Sequence, residues 1–289
     1  MRNGDTKLFG IPVRSLALIA CAGVVAGLCA ASSSQSASAA DEVLRVCADP
    51  DNLPFSNEKG EGFENKLAEL IAGKLDAKLD YSWFSEATGY VPSTMGRSAC
   101  DLVMGYAQGT GLIDDTNPYY YASYVLLYRA DDGSLAGVDR LSDPRLKGKS
   151  IGYFQRTPPA SILAIHGLTA TAKPFEVRGD GNTAKAASAM IAEIASGQLD
   201  AGILWGPLGG YYAQYASVPL ALVPLVKETA GPPVIYGITM GVRPSEPQWK
   251  HKINKVIAEN QREIYAILAS YNVPVLDDKG NLITAAAER

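Results

Sequence analysis

The chain has 289 residues, 47% of them hydrophobic and 19% charged, with 26 Lys and Arg against 30 Asp and Glu and a net charge of −4. That acidic balance offers nothing to a nucleic acid or an anionic membrane. The apolar fraction excludes a disordered chain and suffices for one large or two modest cores.

Residues 1–40 read as a secretory leader. Arg2, Lys7 and Arg14 make a basic start, Ser15–Ala31 is an apolar run, and Ser32–Ala40 is small and polar, with Ala37-Ser38-Ala39 or Ser38-Ala39-Ala40 as the cleavage site. The run is short for a membrane helix that stays, and no second apolar span follows. Leu18-Ile19-Ala20-Cys21 offers a lipoprotein alternative, but only about six apolar residues precede it. The expected product is a cleaved periplasmic protein starting near Asp41. Three bases and one acid leave with the leader, so 23 bases face 29 acids and the remainder carries −6.

The stretch Leu44–Phe84 reads as strand, polar loop, helix and strand. Its loop Asp49–Gly62 lies at the carboxyl end of the first strand, where α/β sheets present ligand sites. Phe63, Leu67, Leu70, Ile71 and Leu75 fall at helical spacing over Phe63–Asp76. Leu79, Tyr81 and Trp83 alternate through a strand Lys78–Trp83. A short helix is expected over Gly89–Arg97, a buried strand over Asp101–Gly105, and a long aromatic strand over Tyr119–Arg129 after the Asn117-Pro118 turn signal.

The polar break Ala130-Asp131-Asp132-Gly133 is taken as the first crossing between lobes. A second set follows: strand Lys149–Phe154, helix Ala160–His166 after Pro158-Pro159, strand Lys173–Val177 and helix Thr183–Ser196 stopped by Gly197. Then come strand Asp200–Leu204, a helix within Trp205–Tyr215 after a Gly-Pro-Leu-Gly-Gly turn, and strand Leu220–Val223. Ile235–Val242 is the return strand. One long helix, Glu246–Ser270, opens on a capping box of Ser245 and Gln248. A turn at Asp277–Leu282 and an Ala-rich tail close the chain. The expected fold is α/β and bilobal: residues 41–129 and 235–289 form one lobe and residues 130–234 an inserted one. A cleft lies between them, and two crossover strands act as hinges.

Cys47 and Cys100 are the two cysteines outside the leader. In an oxidising compartment an even pair reads as a disulfide, and strands in the order 2-1-3 would place them side by side. Two buried free thiols are the alternative.

Catalytic chemistry is thin. His166 and His251 stand alone on helices, and no G-x-S-x-G, C-x-x-C or H-E-x-x-H occurs. Gly148-Lys149-Ser150 mimics the end of a phosphate loop, but Asp143 stands where its first glycine belongs. The cluster Asp49, Asp51, Asn52, Asn57, Glu58, Glu61 and Glu64 lacks calcium-loop spacing and reads as a solvated loop. The tyrosines Tyr119, Tyr120, Tyr121, Tyr124 and Tyr128, with Tyr211, Tyr212 and Tyr215, suit either cleft walls or core.

The opening LRVCADPDNLPFSN, the helix start GEGFEN and the later PYY resemble family-3 periplasmic solute-binding proteins, whose fold is the bilobal type II one. A narrower set resembles the MxaJ and XoxJ proteins of methanol dehydrogenase clusters. That set comprises CADPDNLPFSN at 47–57, GEGFEN at 60–65, CDLVMG at 100–105, RTPPA at 156–160, DAGILWGPLGGYYA at 200–213, MGVR at 240–243 and ILASYNVPVL at 267–276. Together these cover nearly the whole chain after the leader.

The resemblance implies a non-catalytic accessory protein, monomeric alone, whose partner is a periplasmic quinoprotein methanol or alcohol dehydrogenase. PQQ and calcium or a lanthanide would sit on that partner, with no cofactor or metal on this chain. A receptor delivering a solute to an ABC transporter is the alternative.

The chain departs from amino-acid-binding relatives in two ways. Their Thr-x-x-Arg segment, whose arginine forks a ligand carboxylate, has no counterpart in Tyr106–Thr116, which holds no arginine. Their amine-binding Asp is replaced where GFENK gives Asn65 and Lys66. Ser85–Met95 also reads SEATGYVPSTM where the narrower relatives carry a basic segment. From strand ends, the expected cleft walls are Asp49, Asn52, Phe55, Ser56, Tyr106, Tyr119 and Tyr120, faced by Thr157, Pro158, Trp205 and Pro207.

Overall fold

The computed structural model describes residues 42–85, 90–109, 111, 113–176 and 182–283. The leader, Gly89, Val177 and the end of the Ala-rich tail lie outside the described residues, as does part of the Ser85–Met95 segment.

The first half opens with β1 (Val43–Ala48), the hairpin β2 (Asp51–Asn52) and β3 (Ser56–Asn57), α1 (Phe63–Lys74) and β4 (Lys78–Trp83). It continues through α2 (Tyr90–Ser93), a 3-10 turn at Met95–Arg97, β5 (Leu102–Ala107), β6 (Asp114–Asp115) and β7 (Tyr120–Arg129). After a 3-10 turn at Pro144–Leu146 come β8 (Ile151–Phe154), α3 (Pro158–Ile165), β9 (Lys173–Phe175), α4 (Asn182–Ala195), β10 (Ala201–Trp205), α5 (Gly206–Ala213) and β11 (Leu220–Pro224). β12 (Ile235–Val242), α6 (Pro247–Glu259) and α7 (Gln261–Ser270) complete it.

The strands line up as β4-β1-β5-β12-β7-β10-β8-β9. β4, β1 and β5 run parallel, so the expected 2-1-3 order is present, and β12 and β7 follow antiparallel. The same pattern repeats beyond: β9, β8 and β10 run parallel and β7 closes them antiparallel. β7 therefore carries the chain between half-sheets itself. Its residues Tyr120–Ser123 pair with β12, while Tyr124–Arg129 pair with β10 and β11. The polar break Ala130–Gly133 is a turn at the far end of that strand, not the crossing.

Each half buries its own core. In the first, Phe63, Leu67 and Ile71 of α1 pack with Val46, Leu102, Met240, Ile257 and Leu268. The second places Leu126, Ile151, Ile162 and Ile203 on one sheet face and Val125, Leu127, Met190 and Leu204 on the other. Burying a large aliphatic side chain contributes about 1.5–3 kcal/mol, so each half holds a core of its own.

Three local expectations fail. The long helix breaks at Asn260, whose Nδ2 donates to the Val256 carbonyl at 2.7 Å and whose backbone leaves the helical region. The apolar period runs on across the break because Ile264 and Leu268 still face the core. The Ser245–Gln248 box does not form, because Ser245 has φ +77° and the cap position falls on Glu246, which ion-pairs with Arg243. Finally, Gly206-Pro207-Leu208-Gly209-Gly210 is helix from the start. Proline is tolerated in a first turn, and the glycines let α5 touch the backbone of the C-terminal segment. A Cβ on Gly210 would stand 2.0 Å from the Asn272 carbonyl oxygen.

Candidate ligand cleft

At the seam of the two half-sheets lies a cavity of about 290 Å³. Strand alternation builds most of it, since residues two apart share a face. β5 contributes Gly105 and Ala107, β12 contributes Tyr236 and Ile238, and β7 contributes Tyr120 and Tyr124. Register aligns them: Ile238 pairs with Ala107 on one side and Tyr120 on the other, and Tyr124 pairs with Trp205 at the end of β10. Phe55, from the turn between β2 and β3, closes the ring.

The wall is aromatic and uncharged. Trp205 stands between Tyr124, at 5.3 Å and 64°, and Tyr236, at 5.9 Å and 72°. Phe55 is held from behind by Phe63, 5.3 Å away. Burial raises the Tyr124 phenol well above its ordinary range, aided by Tyr236, and burial raises Tyr236 as well. Burial and then the field of Glu64 do the same for Tyr120. These hydroxyls therefore stay neutral across physiological pH; that of Tyr236 donates to the Pro233 carbonyl at 2.9 Å.

Gly105 has φ +72°, a conformation that glycine adopts without a Cβ clash. A Cβ there would stand 2.1 Å from Oε1 of Glu64, a buried carboxylate in the first turn of α1. One glycine thus separates the cavity floor from a carboxylate. The helix N-terminus favours the negative charge at that place.

Of the eleven expected wall residues, Phe55, Tyr120 and Trp205 line the cavity. The others do not line it. Ser56 Oγ donates to the Asp49 carbonyl at 2.8 Å and accepts from the Asp49 N–H at 3.1 Å, and Asp49 Oδ1 accepts from the Asp51 N–H at 2.9 Å. Asn52 pairs with Ser56 across the β2–β3 hairpin. Tyr119 is fully buried, and its hydroxyl accepts from the Gly105 N–H at 3.1 Å, which supports the floor. Tyr106 faces the opposite side and packs on the cluster around Cys47 and Cys100. Thr157 precedes α3 and donates Oγ1 to the Phe154 carbonyl at 2.6 Å, with Pro158 in the first turn after it. Pro207 is buried within α5.

The residues missed were Gly105, Ala107, Tyr124, Tyr236 and Ile238. Period-two spacing from Tyr120 to Tyr124 was a readable signal; the lateral pairing of β5, β12 and β7 was not. Asn65, at the expected ligand-amine position, instead accepts from the N–H groups of Asn57 and Gly62 at 3.0 and 3.1 Å and so starts α1. Tyr211 and Tyr212 do not line the cavity, and Tyr212 packs against the core of the second half. The Tyr212 hydroxyl donates to the Leu53 carbonyl at 3.1 Å, and Tyr211 stacks 6.2 Å from Tyr271, so they fasten α5 to the first half.

Cys47 and Cys100 form a disulfide with Cα atoms 5.5 Å apart, packed under Val91, Met95 and Val103. A larger hollow of about 430 Å³ lies between α5, β11 and Asn272, and no aromatic or charged residue lines it. Among the described residues, no three His, Cys, Asp or Glu side chains are grouped to hold a metal ion, and no helix is long and apolar enough to cross a membrane.

The family model of bacterial extracellular solute-binding proteins, family 3, matches residues 44–273. The chain is 29% identical over 247 residues to Protein MoxJ of Paracoccus denitrificans, covering 81% of this chain and 89% of that one. Among solved structures it is similar to the periplasmic binding protein XoxJ from Methylobacterium extorquens AM1. There the identity is 39% and the TM-score 0.68, over 81% of this chain and 100% of that one. It is also similar to MxaJ from Methlophaga aminisulfidivorans MPT, at 26% identity and TM-score 0.69 over 81% and 100%. An ancestral cationic amino acid solute-binding protein, at 20% identity and TM-score 0.60, shares the fold alone. The chain therefore belongs to the family-3 bacterial extracellular solute-binding proteins and, within them, to the MxaJ/XoxJ group.

Proposed function

We propose that this chain is a non-catalytic periplasmic accessory protein that recognises a PQQ-dependent methanol or alcohol dehydrogenase and serves its assembly, maturation or activation. One observation carries the reading. The cleft keeps the place of a solute site, but none of its lining residues is a cation that could grip an amino-acid carboxylate. Likeness to MoxJ, MxaJ and XoxJ supplies the partner class. PQQ and its calcium or lanthanide would belong to that partner. Affinity capture from a methanol-grown periplasm, with the secreted chain as bait, should recover a quinoprotein dehydrogenase. Recovery of none, together with unchanged dehydrogenase activity on adding or deleting the chain, would sink the docking reading.

The aromatic lining of the cavity favours one second reading, a receptor that hands a small solute to a transporter. A tight ligand at a hundred times its Kd should add about 2.7 kcal/mol of stability, which thermal-shift screening detects.

A further inference from the structure

Resting on the reading that this cleft is a recognition site, we propose that its cavity binds a small methylated ammonium cation. Shape points there first. Five aromatic rings line it, those of Phe55, Tyr120, Tyr124, Trp205 and Tyr236, and Trp205 meets Tyr124 and Tyr236 at steep angles of 64° and 72°. A rounded methylated head can lie against several such rings at once. Ring faces carry negative potential, and tryptophan attracts a cation most strongly.

Charge points the same way. No lining residue is charged, and the carboxylate behind Gly105 adds a fixed negative field that a cation would meet through one glycine. An anion at that floor would be repelled. A primary ammonium would lose its water and find only the hydroxyls of Tyr120, Tyr124 and Tyr236 as side-chain acceptors in the lining, and no carboxylate among them. A methylated nitrogen presents methyl groups and needs none. The volume, about 290 Å³, is at the small end of ligand sites and suits a compact head with a short tail.

Choline and 3,3-dimethylbutan-1-ol differ only in nitrogen against carbon at the head. Calorimetric titration of the secreted chain with each, alongside tryptophan fluorescence, decides the matter. Choline should bind about tenfold more tightly than the carbon isostere. Trp205→Ala should abolish binding of both, and Glu64→Gln should narrow choline's advantage without moving the isostere. Equal affinity of the two on the unchanged protein, or binding of neither at millimolar concentration, overturns the proposal, whatever the variants do. Dehydrogenase capture uses no ligand, so its failure would leave this comparison standing. Absent choline binding would likewise leave the docking reading untouched.

Discussion

Two glycines show how differently one residue type can be used. Gly210 lies where α5 touches the C-terminal segment, and a methyl group there would collide with the Asn272 carbonyl, whose side chain already donates to the Gly210 oxygen at 2.8 Å. Gly73, exposed near the end of α1, has no atom within 4 Å of its missing Cβ. Gly210→Ala should therefore cost about 1–3 kcal/mol through overpacking. Gly73→Ala should stabilise by about 0.5–1 kcal/mol, by restricting the unfolded chain. Urea unfolding of both variants checks the contrast. Two similar effects would mean that α5 is not tightly seated.

Among the elements, the disulfide is the strongest covalent constraint. Cys47 in β1 and Cys100 just before β5 are 53 residues apart, and parallel pairing of Val46 with Leu102 brings them together. Closing a loop of that length restricts the unfolded chain by about 4 kcal/mol in the chain-entropy account. A Cys47→Ala, Cys100→Ala double variant should lose roughly 2–4 kcal/mol. Denaturant midpoints of oxidised, reduced and variant protein measure it, and coincident midpoints would refute it. Some element boundaries were legible: Lys78–Trp83 falls where alternation places it, and the return strand Ile235–Val242 has its expected bounds. α5 was hidden because glycine and proline suggest a turn. Only the approach of Asn272 shows that these glycines serve contact. The break at Asn260 was hidden because the core period is the same on both sides of it.

For the whole molecule, acid stability follows from two carboxylates in the second half. Burial alone would raise Asp200, but hydrogen bonds from the Ser150 N–H and Oγ, and from Lys149, outweigh it and hold the carboxyl below its usual range. Burial likewise opposes Glu228, yet the N–H groups of Ala230 and Leu141, with His166 beside it, keep it low. A carboxylate with a depressed folded pKa stabilises fully above its unfolded value near 4, and that stability is lost as pH falls through the folded value. Thermal melts should be flat from about pH 7 to 5 and fall below about pH 4. Asp200→Asn with Glu228→Gln should lose about 1–2 kcal/mol near neutrality and flatten the acid limb. An unchanged limb would remove these groups as its cause.

The sequence by itself determined the α/β class, most element positions, the MxaJ/XoxJ likeness and the lack of an arginine where a ligand carboxylate would be gripped. Each of these is written in local period or in a run of residue types. It also supplied Phe55, Tyr120 and Trp205 from strand ends. Only the tertiary structure decided that Gly105, Ala107, Tyr124, Tyr236 and Ile238 join them. Only it showed that Tyr119 supports the floor from beneath and that β7 itself crosses between the half-sheets. The reason is physical: period along a strand says which residues share a face. Which strands lie side by side, and in what register, is set by packing between segments more than a hundred residues apart.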